Sequence, residues 1–362
     1  MSTNLPSEPS QGDRTNPEGP IAADDLLPPV EPPNAKFIIQ LFVTPMVIVA
    51  SVVGIWLLLQ WLANSGDTDP DKIVAALRSS NQARFQQAAE LSHMLQAEGR
   101  YPELKTNREL VKKLAELLLQ QVDEKREGEG DVTMRTFLTR SLGEFHVDDG
   151  LPALIATAER DQQRGVRRDA INAIAVLATN VPDLDRPELV ELMRDLADSD
   201  DELFRSEAAF ALGVLAESPS ASTDYRDLLA LLAEDFYPDA RYNAGVGLAR
   251  CGDLRAVPVL QEMLDLNALV ASVDSEKGVG DPNSSNYEQL LARLKTQKRN
   301  VLIKNGLRGV ELLLEKQEPK DLQELEVAIE KLLNEAAKLE EAEQVPESLI
   351  KRAKKLRTKL AG

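Results

Sequence analysis

Leu203–Ala216 reads LFRSEAAFALGVLA, one amphipathic helix, and three looser copies of it stand elsewhere in the chain. An arginine opens each copy: Arg135, Arg167, Arg205 and Arg241. Six residues on comes a small residue (Ser141, Ala173, Ala211, Gly247), then a branched aliphatic one (Leu142, Ile174, Leu212, Leu248), then small again (Gly143, Ala175, Gly213, Ala249). The copies recur at intervals of about 32 to 38 residues, within the range of helical repeats. A helix repeated with small residues in fixed register is built to stack on its own neighbours. The fold class that follows is all-α: an α-solenoid of helix pairs.

Shorter helices alternate with the arginine-led ones, at Leu151–Ala158, Pro187–Leu196, Tyr225–Ala233 and Ala256–Leu264. Pro152, Pro187 and Pro258 stand near three of their starts, where a missing N–H costs least. Asp148, Asp149, Asp185, Ser199 to Asp201 and Asp239 precede helices and suit caps and the positive end of the helix dipole. Upstream, RFQQAAELSHML from Arg84 is a worn copy, with Ala88, Ala89, Leu91 and Leu95 marking one face. Asn107–Val122 is strongly amphipathic through Leu110, Leu114, Leu117 and Leu118. The sequence predicts loops at 127–131 and in a turn-rich insert at Asn267–Tyr287, which holds SEKGVGDPNSS.

GVRRDAINAIAVLA, LFRSEAAFALGVLA and DARYNAGVGLARCGDLRAVPVLQEML resemble HEAT repeats, specifically the short bacterial kind also found in phycobilin-lyase-type proteins. The resemblance covers about Val132–Leu266 and fades over Asp71–Val122. It implies an α-solenoid whose arginine-led helices line the concave face, and it implies scaffolding or partner binding as the common role. The aspartate that the family carries between paired helices is irregular here, and the repeat lengths vary.

Outside the repeats, Phe37–Ala63 holds no charged residue. As a helix it is about 40 Å long, enough to cross a hydrocarbon core of about 30 Å with tilt. Lys36 bounds one end, Trp56 and Trp61 sit towards the other, and Pro45 predicts a kink. Ala50 and Gly54 have the small-xxx-small spacing of paired spans, a weak sign of a homo-oligomer. Residues 1–36, with PPVEPP at Pro28–Pro33, lack apolar periodicity and read as a disordered tail. Lys72, Arg78 and Arg84 after the span outnumber Lys36 before it, which puts the solenoid on the cytoplasmic side.

Towards the C-terminus, Tyr287–Lys316 carries a stripe of Leu290, Leu291, Leu294, Val301, Leu302, Leu307, Val310 and Leu313. An acidic helix in Pro319–Glu343 and a basic one in Pro346–Leu360 suit an antiparallel hairpin held by opposite charge, or a basic helix lying on an anionic membrane. The expected organisation is a tail (1–36), a transmembrane helix (37–63), a linker (64–70), a HEAT-like solenoid (71–316) and a hairpin cap (317–362).

The 362 residues carry a formal charge of −18 and 4% aromatics, which argues against coating nucleic acid. The single cysteine, Cys251, reads as buried and inert, and His93 and His146 stand in no metal spacing. No catalytic, cofactor-binding or metal-ligating residue is expected. The repeat arginines read as a structural ladder to carbonyls and carboxylates of adjoining repeats, or else as an anion-binding track. Positions one, five and nine after each arginine should face outward. From them come the candidate partner-binding residues Arg140, Arg168, Asn172, Phe210, Tyr242 and Arg250. The sequence thus predicts a single-pass scaffold in the bacterial inner membrane that binds a protein partner through its solenoid. The rivals are an accessory subunit held through the span and a lyase-like enzyme.

Overall fold

A computed structural model describes residues 34–64, 69–79, 82–97, 99, 101–181, 183–218, 221–274, 284, 286–339 and 344–361. The chain divides into two compact units, Met1–Gly66 and Asp67–Gly362. The expected disorder of the tail and the loop reading of 275–283 lie outside the described residues.

In the first unit, α1 (Ala35–Asn64) is a helix with Pro45 inside it. Its stretch Ile39–Leu59 has a mean hydropathy of 2.4 and is long and apolar enough to cross a membrane. A side chain at Gly54 would meet nothing within 4 Å among the described residues.

The second unit is an α-solenoid. Its helices are α2 (Pro70–Leu77), α3 (Ala83–Gln96), α4 (Pro102–Lys105), α5 (Arg108–Asp123), α6 (Glu129–Gly143), α7 (Leu151–Arg160), α8 (Arg164–Asn180), α9 (Pro187–Ala197), α10 (Glu202–Leu215), α11 (Thr223–Leu232), α12 (Pro238–Cys251), α13 (Val257–Met263), α14 (Leu266–Asp274), α15 (Tyr287–Leu314), α16 (Gln323–Ala336) and α17 (Glu347–Leu360). The arginine-led helices α6, α8, α10 and α12 lie side by side in one layer, extended by α3 at one end and α15 at the other. The alternate helices α5, α7, α9 and α11 neighbour one another in the second layer, and α13 meets α16 further along. One apolar core runs from Ile73 to Leu360.

The small residues set the spacing of the first layer. A methyl group at Gly143 would fall 2.8 Å from the Ala173 carbonyl oxygen, and one at Gly213 would fall 2.8 Å from Cα of Gly247. The eighth position after one arginine therefore touches the sixth position after the next. At these two crossings backbone meets backbone, where no larger side chain fits.

Helix starts follow the residue chemistry in part. Asp69, Asn107, Asp201 and Ser222 cap α2, α5, α10 and α11 through side-chain oxygens. Asp239 lies inside the first turn of α12, behind Tyr237 at the cap position, and there serves the dipole instead.

Four sequence expectations are corrected. Residues 129–131 open α6, because Gly128 takes the cap position and acidic Glu129 and Asp131 suit the first turn. Residues 266–274 form α14 instead of a loop, since Leu266, Leu269 and Val273 are buried on one face. Ala89, Leu290 and Val301 are exposed, so the stripes of α3 and α15 are narrower than the composition suggested. The hairpin of α16 and α17 forms, but one ion pair, Arg357–Glu330 at 3.7 Å, joins the two helices among the described residues. What holds them is apolar: Leu325, Ile329 and Leu332 of α16 and Ala353, Leu356 and Leu360 of α17 are all buried. Arg352 pairs instead with Glu311 of α15.

Candidate functional site: the outward row of the repeat layer

The four repeat arginines do not point to solvent. Each clasps the turn before its helix and, in three cases, a carboxylate beyond it. Arg135 donates to the Arg126 carbonyl at 2.6 Å and to Asp161 at 2.6 and 3.4 Å. Arg205 donates to the Ser199 carbonyl at 2.9 Å and to Asp235 at 2.7 and 3.1 Å. Arg241 donates to Glu262 at 2.9 and 2.6 Å and to the main-chain carbonyl of Asp235. Arg167 donates to the Ala158 carbonyl at 2.6 Å and lies 4.2 Å over the Phe204 ring. Asp235 thus serves two successive arginines, one by its carboxylate and one by its carbonyl. The arginines form a structural ladder of bonds to main-chain carbonyls and, for three of them, to carboxylates.

The ladder predicts an acid limb in stability. Arg164 holds the Asp201 carboxyl below its ordinary range. Burial pushes Asp235 and Glu262 up, but the bonds from Arg205 and from Arg241 outweigh it, so both carboxyls also lie low. A carboxyl depressed in the folded state contributes stability that is full above its unfolded value and is lost as pH falls through the folded value. Stability from these groups should be flat near neutrality and fall below about pH 4. An Asp235→Asn variant should show a shallower decline in melting temperature across that limb, and an unchanged slope would refute the assignment.

Beside the ladder runs the outward row. Arg140 donates to Asp169 at 3.0 and 3.2 Å, and Arg168 lies 4.0 Å from both Asp169 and Glu207. Burial pushes the Glu207 carboxyl up, against a hydrogen bond from Asn172 and the charge of Arg168. Val176 and Phe210 are 39% and 42% exposed, and Val214 and Val246 are half-buried against the core. Arg250 pairs with Glu217 at 3.1 Å. Arg140, Arg168 and Phe210 reach the open side of the layer, and Asn172 and Arg250 do so half-buried.

Tyr242 does not. It is 2% exposed, and its phenol bonds Glu262 at 2.8 Å and Ser272 at 2.7 Å. Burial pushes that phenol up to about 12. Glu262 of α13 and Ser272 of α14 hold the phenol there, partners that the repeat pattern does not show. Ser206 is likewise buried, with Asn243 bonded to its hydroxyl and carbonyl. Cys251 is half-buried instead of fully buried; its thiol donates to the Ala216 carbonyl at 3.3 Å, and burial pushes it up, away from reactivity.

Sequence reasoning missed a cleft of about 380 Å³ at the C-terminal ends of α8 and α10. Ala178, Leu184, Val214, Leu215 and Ala221 supply apolar lining, and Asp183, Asp185, Glu217 and Arg250 supply charge. Ser218 donates to Asp183 at 2.8 Å and Tyr225 to Asp185 at 3.1 Å. Val214 and Arg250 belong to the row and the cleft together, so the two form one surface. The long connections after α8 and α10 were the available signal.

Residues 240–265, nearly all of α12 and α13, match the family model for the PBS lyase HEAT-like repeat. The repeats are HEAT-like. The HEAT-like solenoid also resembles two designed armadillo repeat proteins of known structure. One, in complex with the peptide (KR)4, is 14% identical with a TM-score of 0.38 over 68% of this chain and 99% of its own. The other is 17% identical with a TM-score of 0.33 over 80% of this chain and 98% of its own. No curated protein matches the chain.

Proposed function

We propose that the protein is a membrane-anchored, non-catalytic HEAT-like scaffold that binds a protein partner on the outward row and its adjoining cleft. The observation that carries this reading is Phe210, a large aromatic left 42% exposed on α10, next to the helix α8 that carries exposed Arg168 and Val176. Aromatic and arginine side chains are favoured binding anchors. The anchor is α1, and the expected setting is a bacterial inner membrane with the solenoid in the cytoplasm. Tethering raises the effective concentration of whatever the row holds near the bilayer.

A photoreactive residue in place of Phe210, in cells, should crosslink a discrete partner, whereas one in place of Leu231, exposed on α11, should not. Phe210→Ala should weaken capture of that partner by about tenfold or more, a typical hot-spot loss, with the melting temperature held. Equal capture by the variant would remove the row from the binding surface. Deleting residues 1–63 should release the protein from membranes yet leave the partner bound; loss of the partner would favour an accessory subunit held through the span.

A further inference from the structure

The notable unspent charge lies on α17. Its apolar face is closed: Ala353, Leu356 and Leu360 are buried against the α15 and α16 side of the bundle. At about 100° per residue, Lys351, Lys354, Lys355 and Lys359 fall within an arc of about 140° on the opposite side. All four are exposed. Lys354, Lys355 and Lys359 have no carboxylate partner among the described residues, and Lys351 pairs only with Glu347, one turn back on the same helix. The two arginines of α17 are committed elsewhere, Arg352 to Glu311 and Arg357 to Glu330. A chain of net charge −18 thus keeps one lysine-rich face about 12 Å long, with three of its four lysines unpaired among the described residues.

We propose that this face seats the negatively charged headgroups of a phospholipid bilayer. The proposal rests on the reading of α1 as a span. Three features favour lipid over another polyanion. The groups are lysines, compact and strongly hydrated point charges, without the planar fork of arginine that reads phosphate bidentately. No aromatic side chain interleaves them, as base stacking on a nucleic acid requires. The affinity is also of the right size. A lysine near an anionic leaflet contributes about fivefold in partitioning, so the three unpaired ones give a bias of about a hundredfold. That is too little to capture a dilute soluble target, but ample for a surface on which the chain is already tethered. Because the apolar face is buried, no insertion accompanies the contact, and it is sensitive to salt.

The test uses the full chain reconstituted in vesicles of phosphatidylcholine alone or with about a third phosphatidylglycerol, enough to give a negative surface potential. Lysine acylation is read residue by residue by mass spectrometry. Lys354, Lys355 and Lys359 should be protected about fivefold or more in the anionic vesicles. Protection should vanish near 0.5 M salt, where screening falls to a few ångströms, and in a Lys354→Glu/Lys355→Glu variant. Lys331, which pairs with Asp265 at 2.5 Å, is the internal control and should not change. Equal acylation in both vesicles overturns the proposal, as does protection by added RNA or an acidic polypeptide but not by lipid. The span is scored separately, by flotation with neutral vesicles after alkaline extraction. If flotation fails there while anionic vesicles still protect α17, the anchor reading falls and the lysine face stands.

Discussion

Arg135→Ala is expected to lower stability by about 3 kcal/mol, the lower end of the range for stripping one partner from a buried ion pair. Its side chain is 2% exposed and that of Asp161 is 1% exposed, so neither charge has water to fall back on. The loss sits at the lower end because Asp161 keeps the Gln163 main-chain N–H at 2.8 Å. The Arg126 carbonyl loses its donor as well. The companion variant separates charge burial from packing: Arg135→Met with Asp161→Leu removes both charges and should recover most of the loss. Arg250→Ala supplies the contrast, since its bond to Glu217 is between groups 33% and 52% exposed and should be worth under about 1 kcal/mol. Urea midpoints of the three variants in detergent give the comparison. A loss at Arg135 no larger than that at Arg250 would show that the ladder does not carry the fold.

Gly213→Val should do comparable damage by a different route. The new Cβ would meet Cα of Gly247 at 2.8 Å, and a backbone atom cannot swing aside as a side chain tip can. Even Gly213→Ala, which gains up to about 1 kcal/mol of helix propensity, should be net destabilising, because crowding a tight interface costs about 1–3 kcal/mol. Valine adds two methyl groups to the same crossing and should exceed about 3 kcal/mol, parting α10 from α12. Gly165→Ala, on α8 with nothing within 4 Å, should be neutral or stabilising. Thermal melts of the three proteins decide it. If Gly213→Val melts with the parent, the layer is not held at backbone contact.

These two sites show what could be read from the chain. The small residues at the sixth and eighth positions were legible because close helix crossings leave few residue types possible, and Gly143, Ala173, Gly213 and Gly247 sit in that register. The arginines were legible as a column, but their acceptors were not. The carboxylates lie 26, 30 and 21 residues away for Arg135, Arg205 and Arg241, with no constant offset to search for. Tyr242 went wrong because its phenol is held by Glu262 of α13 and by Ser272 of α14, a short helix outside the repeat period, and neither partner carries a repeat pattern. The cleft was hidden for a related reason: its lining comes from two helix ends and the connections after them, which meet only once the layers stack. The C-terminal hairpin was anticipated from charge, yet its cohesion is leucine and isoleucine. Sign complementarity between the two helices was visible in composition; which face each turns to its neighbour was not.

Tyr242 stands between Glu262 of α13 and Ser272 of α14, so its phenol ties the last arginine-led repeat to a helix outside the repeat period. The same Glu262 carboxylate takes the guanidinium of Arg241. The end of the arginine column is therefore fastened to α13 and α14 by one shared acceptor, and a substitution at Glu262 would loosen two side chains at once.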